Sequence, residues 1–139
     1  MGKQNELIID DGTLVYEIKN KAGQFLGEIC FNPSDTNIVN RYKKFQEFFE
    51  NIKEENYPKS DEGFAKLQDD IVEQFDYLLR TDTKERIFSI CGAATPLPNG
   101  ELFFESVANS VAALIEKEMG VRMKKMQSRV NKYTEKYHK

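Results

Sequence analysis

The apolar residues of this chain change their period once, at Asn32-Pro33-Ser34-Asp35, and that switch limits the folds open to it. Upstream they recur every second residue, the repeat of a half-buried strand. Downstream they recur at steps of three and four, the repeat of an amphipathic helix. Strands grouped at one end and helices at the other predict an α+β fold.

The upstream segment reads as a small β-unit. Leu7-Ile8-Ile9 precedes Asp10-Asp11-Gly12, a turn whose glycine can take positive φ. From Thr13 to Lys19, Leu14, Tyr16 and Ile18 share one face while Val15 and Glu17 share the other. After a second turn at Asn20-Lys21-Ala22-Gly23, Phe25, Gly27, Ile29 and Phe31 alternate with Leu26, Glu28 and Cys30. Two or three antiparallel strands are too few to stand alone, so the unit is expected to pack on helices.

Ser34 or Asp35 is the expected cap of the first helix, where Ile38, Tyr42, Phe45, Phe49 and Ile52 form the inward stripe, with Val39 and Phe48 widening it. Arg41, Lys43, Lys44, Glu47 and Glu50 are placed on its surface. Residues 54–60 make a connector. Ser60 or Asp61 starts a second helix with Phe64, Leu67, Ile71, Phe75 and Leu78 inward, and Asp69, Asp70, Glu73 and Asp76 outward. Asp82 and Glu85 have capping-box spacing at the head of a short third helix, 84–91, which Gly92 ends. Pro96, Pro98 and Asn99-Gly100 mark a loop.

The last helix is expected from Glu101 to Tyr133 or beyond. Its inward positions are Ala108, Ala112, Ile115, Met119, Met123, Met126, Val130, Tyr133 and Tyr137. Two successive steps of four fall around Gly120, where straightening or a kink is expected. Before Gly120 the small alanines suit close packing. After it, methionines and tyrosines among basic residues suit an amphipathic segment that takes a partner, unless they fill the chain's own core.

Charge divides the chain at the same place. Residues 119–139 carry seven basic groups against one acid, a net of +6, and residues 1–118 carry 13 basic against 22 acidic, a net of −9. The total of −3 argues against general attraction to nucleic acid, and binding through the basic tail would be weak and salt-sensitive. With 139 residues, 40% of them apolar, one domain is expected. Its parts are a β-unit (1–32), a helical body (34–118) and a basic helical extension (119–139).

The search for chemistry is largely one of exclusion. His138 is the single histidine and lies at the penultimate position, a poor place for a triad. There is no Gly-rich phosphate loop and no HExxH pair. Cys30 and Cys91, each beside apolar residues, read as buried reduced thiols and lack paired zinc spacing. The acidic cluster at Asp69, Asp70, Glu73 and Asp76 reads as a solvated or partner-facing surface before it reads as a cation site. The expectation is a non-enzyme with no catalytic residue, cofactor or metal. Neither a secretory leader nor a membrane span is read in the sequence, so a cytoplasmic location is expected.

Three blocks resemble small proteins of bacteriophage and prophage tail modules, usually described as tail assembly chaperones or tail-associated proteins. They are Phe31-Asn32-Pro33-Ser34-Asp35-Thr36-Asn37 with Arg41-Tyr42, then Phe75-Asp76-Tyr77-Leu78-Leu79, then Glu101-Leu102-Phe103-Phe104-Glu105-Ser106-Val107 leading to Asn131-Lys132-Tyr133. The resemblance spans roughly residues 25–139. It implies a soluble, non-enzymatic protein of the bacterial host cytoplasm that binds the long helical tape measure protein, or another tail protein, during tail morphogenesis. The partner-binding residues expected are Met119, Met123, Met126, Val130, Tyr133 and Tyr137, with Arg122, Lys125 and Arg129 beside them. A structural tail-completion component and a small nucleic-acid-binding regulator using the basic helix are the alternatives, and self-association stays open.

Overall fold

The computed structural model describes residues 5–52 and 57–137, with side chains as far as residue 129 in the last helix. It is α+β, with strands β1 (Leu14–Lys19) and β2 (Phe25–Phe31) followed by helices α1 (Ile38–Asn51), α2 (Asp61–Leu79), α3 (Thr83–Arg86) and α4 (Phe103–Tyr137). The fold matches the expected order. Residues 54–56 of the expected connector and His138 lie outside the described residues.

The hairpin has two antiparallel strands, with Tyr16 opposite Ile29 and a register shift between Ile18 and Lys19. Alternation decides which face goes inward. Ile29 and Phe31 are buried and Tyr16 and Ile18 pack beside them, as the period of two predicts. The same register turns Cys30 outward, so it is exposed and not the buried thiol expected. Leu7, Ile8 and Ile9 form no third strand among the described residues and are exposed. The Asp10-Asp11-Gly12 turn is as expected: Asp10 and Asp11 accept from the Gly12 and Thr13 amides, and Gly12 has φ +86°.

The core lies where the hairpin meets α1, α2, Ile87, Ala93 and the first half of α4. Aromatic rings link these elements. Phe45 of α1 meets Phe75 of α2 edge-on at 5.0 Å, and Phe75 meets Phe88 at 5.2 Å. Phe49 stacks on Phe104 of α4 at 5.3 Å. Such contacts add about 0.5–1.5 kcal/mol to what burial gives.

Several boundaries differ from expectation, each for a local reason. α1 starts at Ile38, because Asp35 spends its side chain on the Asn37 amide and makes a turn before the helix. α2 starts as expected, with the Ser60 hydroxyl accepting from the Gly63 amide. At its end Arg80 takes the left-handed conformation, φ 55°. Arg41, expected on the surface, is 7% exposed, and its Nε donates to the Leu78 carbonyl at 3.0 Å while Nη1 pairs with Asp35 at 3.2 Å. It fills the need of a helix C-terminus for donors. Tyr42 and Phe64, expected inward, are exposed at the margin of the core.

α3 is shorter than the expected 84–91. The amides of Ile87 and Phe88 both return to the Thr83 carbonyl, and this irregular turn sends Ile87 and Phe88 together into the core. The expected Asp82 cap is present, accepting from the Glu85 amide. α4 starts at Phe103, after a bridge between Pro96 and Leu102. It runs unbroken through Gly120, the position where straightening or a kink is expected. Its buried centre is Val111, flanked by Phe104, Val107, Ala108, Leu114, Ile115 and Met119, so the stripe turns slightly from the Ala108–Ala112 line toward bulkier side chains.

Candidate functional site

α4 divides into a packed half and an extended half. Its entry is fixed by local bonds: the Glu105 carboxylate accepts from the Leu102 amide at 3.0 Å, and the Phe104 amide donates to the Ala93 carbonyl at 2.9 Å. Met119 is the last of its described side chains packed against the core. Beyond it, Val121, Met123 and Met126 are exposed, Met123 by 58% and Met126 by 51%.

Arg122 marks the boundary. Expected among the partner-binding residues, it is turned onto the chain itself: its guanidinium donates to the Gly12 carbonyl at 3.0 Å, to Asn32 Oδ1 at 3.4 Å and to the Ser34 hydroxyl. Its Nε pairs with Glu118 one turn earlier at 3.2 Å. A cation with several carbonyl and hydroxyl acceptors is oriented as well as held. One residue therefore ties the β-unit's first turn and the entry to α1 to the root of the extension. Tyr16 lies close by; burial, then the Glu118 charge, push its phenol pKa up, with Arg122 opposing.

The other expected residues separate by depth. Met119 is half-buried, whereas Met123, Met126, Lys125 and Arg129 are exposed. For Val130, Tyr133 and Tyr137 the helical backbone is described and their side chains lie outside the described part. An exposed pair of methionines three residues apart, next to Lys125 and Arg129, is an adaptable apolar strip with a basic flank.

A second surface was not singled out from the sequence. α1 and α2 leave an open groove of about 660 Å³ between them, lined by Phe48, Ile52, Tyr57 and Tyr77 together with Lys44, Glu47 and Glu73. Its sequence signal was Tyr77, an aromatic off the inward stripe of α2, which is 41% exposed. Tyr57 donates to Asp70 at 2.6 Å, and Lys66 pairs with the same carboxylate at 3.0 Å. The Tyr57 hydroxyl, followed by Lys66, holds the Asp70 carboxyl below its ordinary pKa. Burial, then the bond to Asp70, push the Tyr57 phenol up to about 12.

The acidic cluster of α2 is thereby split. Asp70 holds Tyr57, and Asp76 accepts from both the amide (2.7 Å) and hydroxyl of Thr83, fixing the turn into α3. Asp69 and Glu73 are exposed. Among the described residues, no group of three or more Asp, Glu, His or Cys is placed to hold a metal ion, and no helix is long and apolar enough to cross a membrane.

No family model, curated protein or solved structure matches this chain.

Proposed function

We propose that the chain is a protein-binding factor that presents the second half of α4 as an arm to an amphipathic helix. The observation that carries the reading is the exposure of Met123 and Met126 on a helix whose first half is packed into the core. In water, an exposed apolar strip on an otherwise charged helix lowers the free energy most by covering a matching strip on another helix. Arg122 supports the reading, because it fixes the root of the arm to the body.

The partner class follows from the resemblance of the Phe31–Asn37, Phe75–Leu79 and Glu101–Val107 blocks to tail assembly chaperones. On this proposal the arm covers apolar stretches of a tape measure protein in the host cytoplasm, and the chain performs no bond-making step. A structural place in the tail is the alternative role, separated by whether the chain remains in finished particles. Titration of a helical tape measure fragment into the protein tests the proposal. Saturable binding is expected; heat changes no larger than dilution, with both partners folded, would contradict it.

A further inference from the structure

We propose that the α1–α2 groove receives the basic arm of a second copy of this chain. The inference shares the arm with the function proposed above but needs no foreign partner, so the two stand or fall separately. The groove and the arm are complementary in shape class and in charge. The groove offers aromatic and aliphatic surface from Phe48, Ile52 and Tyr77, and its lining carries two acids, Glu47 and Glu73, against one base, Lys44. The arm offers Met123 and Met126 beside Lys125 and Arg129.

The charges select this occupant over the simpler symmetric one. Two arms laid against each other would cover their methionines but would also bring together two segments of +6. Like charges across an interface oppose association, whereas an arm on a body of −9 is attracted before contact.

Light scattering on the full chain tests the idea. At about 0.05 M salt the mean mass is expected to rise above 16.1 kDa as concentration goes from about 1 µM to about 1 mM, and to fall back at about 0.5 M salt, where charges are screened beyond about 4 Å. Two charge-reversed chains, Glu47→Lys/Glu73→Lys and Lys125→Glu/Arg129→Glu, should each associate on the order of tenfold more weakly while keeping the wild-type circular dichroism. An equimolar mixture of the two should regain association, because it restores a wild-type arm opposite a wild-type groove. A mass fixed at 16.1 kDa in low salt overturns the proposal. So does association that survives the groove reversal, which would assign it to pairing of arms or another surface. A mixture that stays as weak as its components overturns it as well. Binding of the groove-reversed chain to a tape measure fragment reports on the proposed function separately, since its arm is unchanged.

Discussion

Arg41 shows how far a single residue can depart from its sequence pattern. Helical spacing puts it beside the apolar stripe of α1, and charge argues for solvent. What overrides both is the end of α2, where the Leu78 carbonyl lacks a helical donor. Replacing Arg41 with methionine keeps the apolar stem but removes the donor to that carbonyl and the cation beside Asp35. Unfolding in urea should register a loss of about 2–3 kcal/mol, against about 0.5 kcal/mol for an exposed position such as Lys43. Titration supplies a second prediction at this scale. The Asn37 amide first, then Arg41, lower the Asp35 pKa, and Asp70 is lowered by Tyr57 and Lys66. Groups depressed in the folded state stabilise it above their unfolded pKa and lose that contribution as pH falls through the folded value, so stability should decline below about pH 4. Tyr57 acts in the opposite sense. Its pKa is raised from 10.0 to about 12, so the stability it contributes is complete below pH 10 and is lost as pH rises toward 12. In Tyr57→Phe, absorbance titration should show one fewer late-ionising phenol and urea midpoints should lose that alkaline decline; an unaltered alkaline limb would assign it elsewhere.

At the scale of elements, periodicity located the strands and the long helices because burial acts on whole faces. The alternation of β1 and β2, the Phe45 and Phe75 stripes and the Ser60 cap are each written in a short window of sequence. Positions set by contact between elements were not legible there. Cys30 looked apolar by its neighbours, yet the pairing of Tyr16 with Ile29 turns it outward. The shortness of α3 follows from Asp76 claiming Thr83 and from Ile87 and Phe88 both being drawn inward, which no local spacing encodes. Gly63 is a similar case. It sits in the first turn of α2 against the connector, where a Cβ would run into the Pro58 carbonyl. Gly63→Ala should therefore destabilise by about 1–3 kcal/mol, although alanine is the better helix former. A thermal midpoint equal to or above wild type would show that the connector moves aside without loss.

For the whole molecule, the charge map read from the sequence divides the chain close to where the structure divides it. The acidic body ends and the basic segment begins near residue 119, and Met119 is the last α4 side chain packed on the core among the described residues. The arm's exposed methionines were thus foreseen as residues, but not the split that packs half-buried Met119 on the core, turns Arg122 onto the body and leaves Met123 and Met126 in solvent. That split depends on where the body stops beneath a continuous helix. The α1–α2 groove was hidden for a related reason, since it exists only once two helices are set side by side. The central claim is that Met123 and Met126 serve a partner and not the chain's own core. Paired measurements on Met123→Glu/Met126→Glu test it most directly: a thermal melt and a titration with a helical tape measure fragment. The account predicts a melting temperature within about 2 °C of wild type, as for exposed positions, and binding weakened at least about tenfold. A melting temperature lower by about 10 °C or more, or binding at wild-type strength, would contradict it.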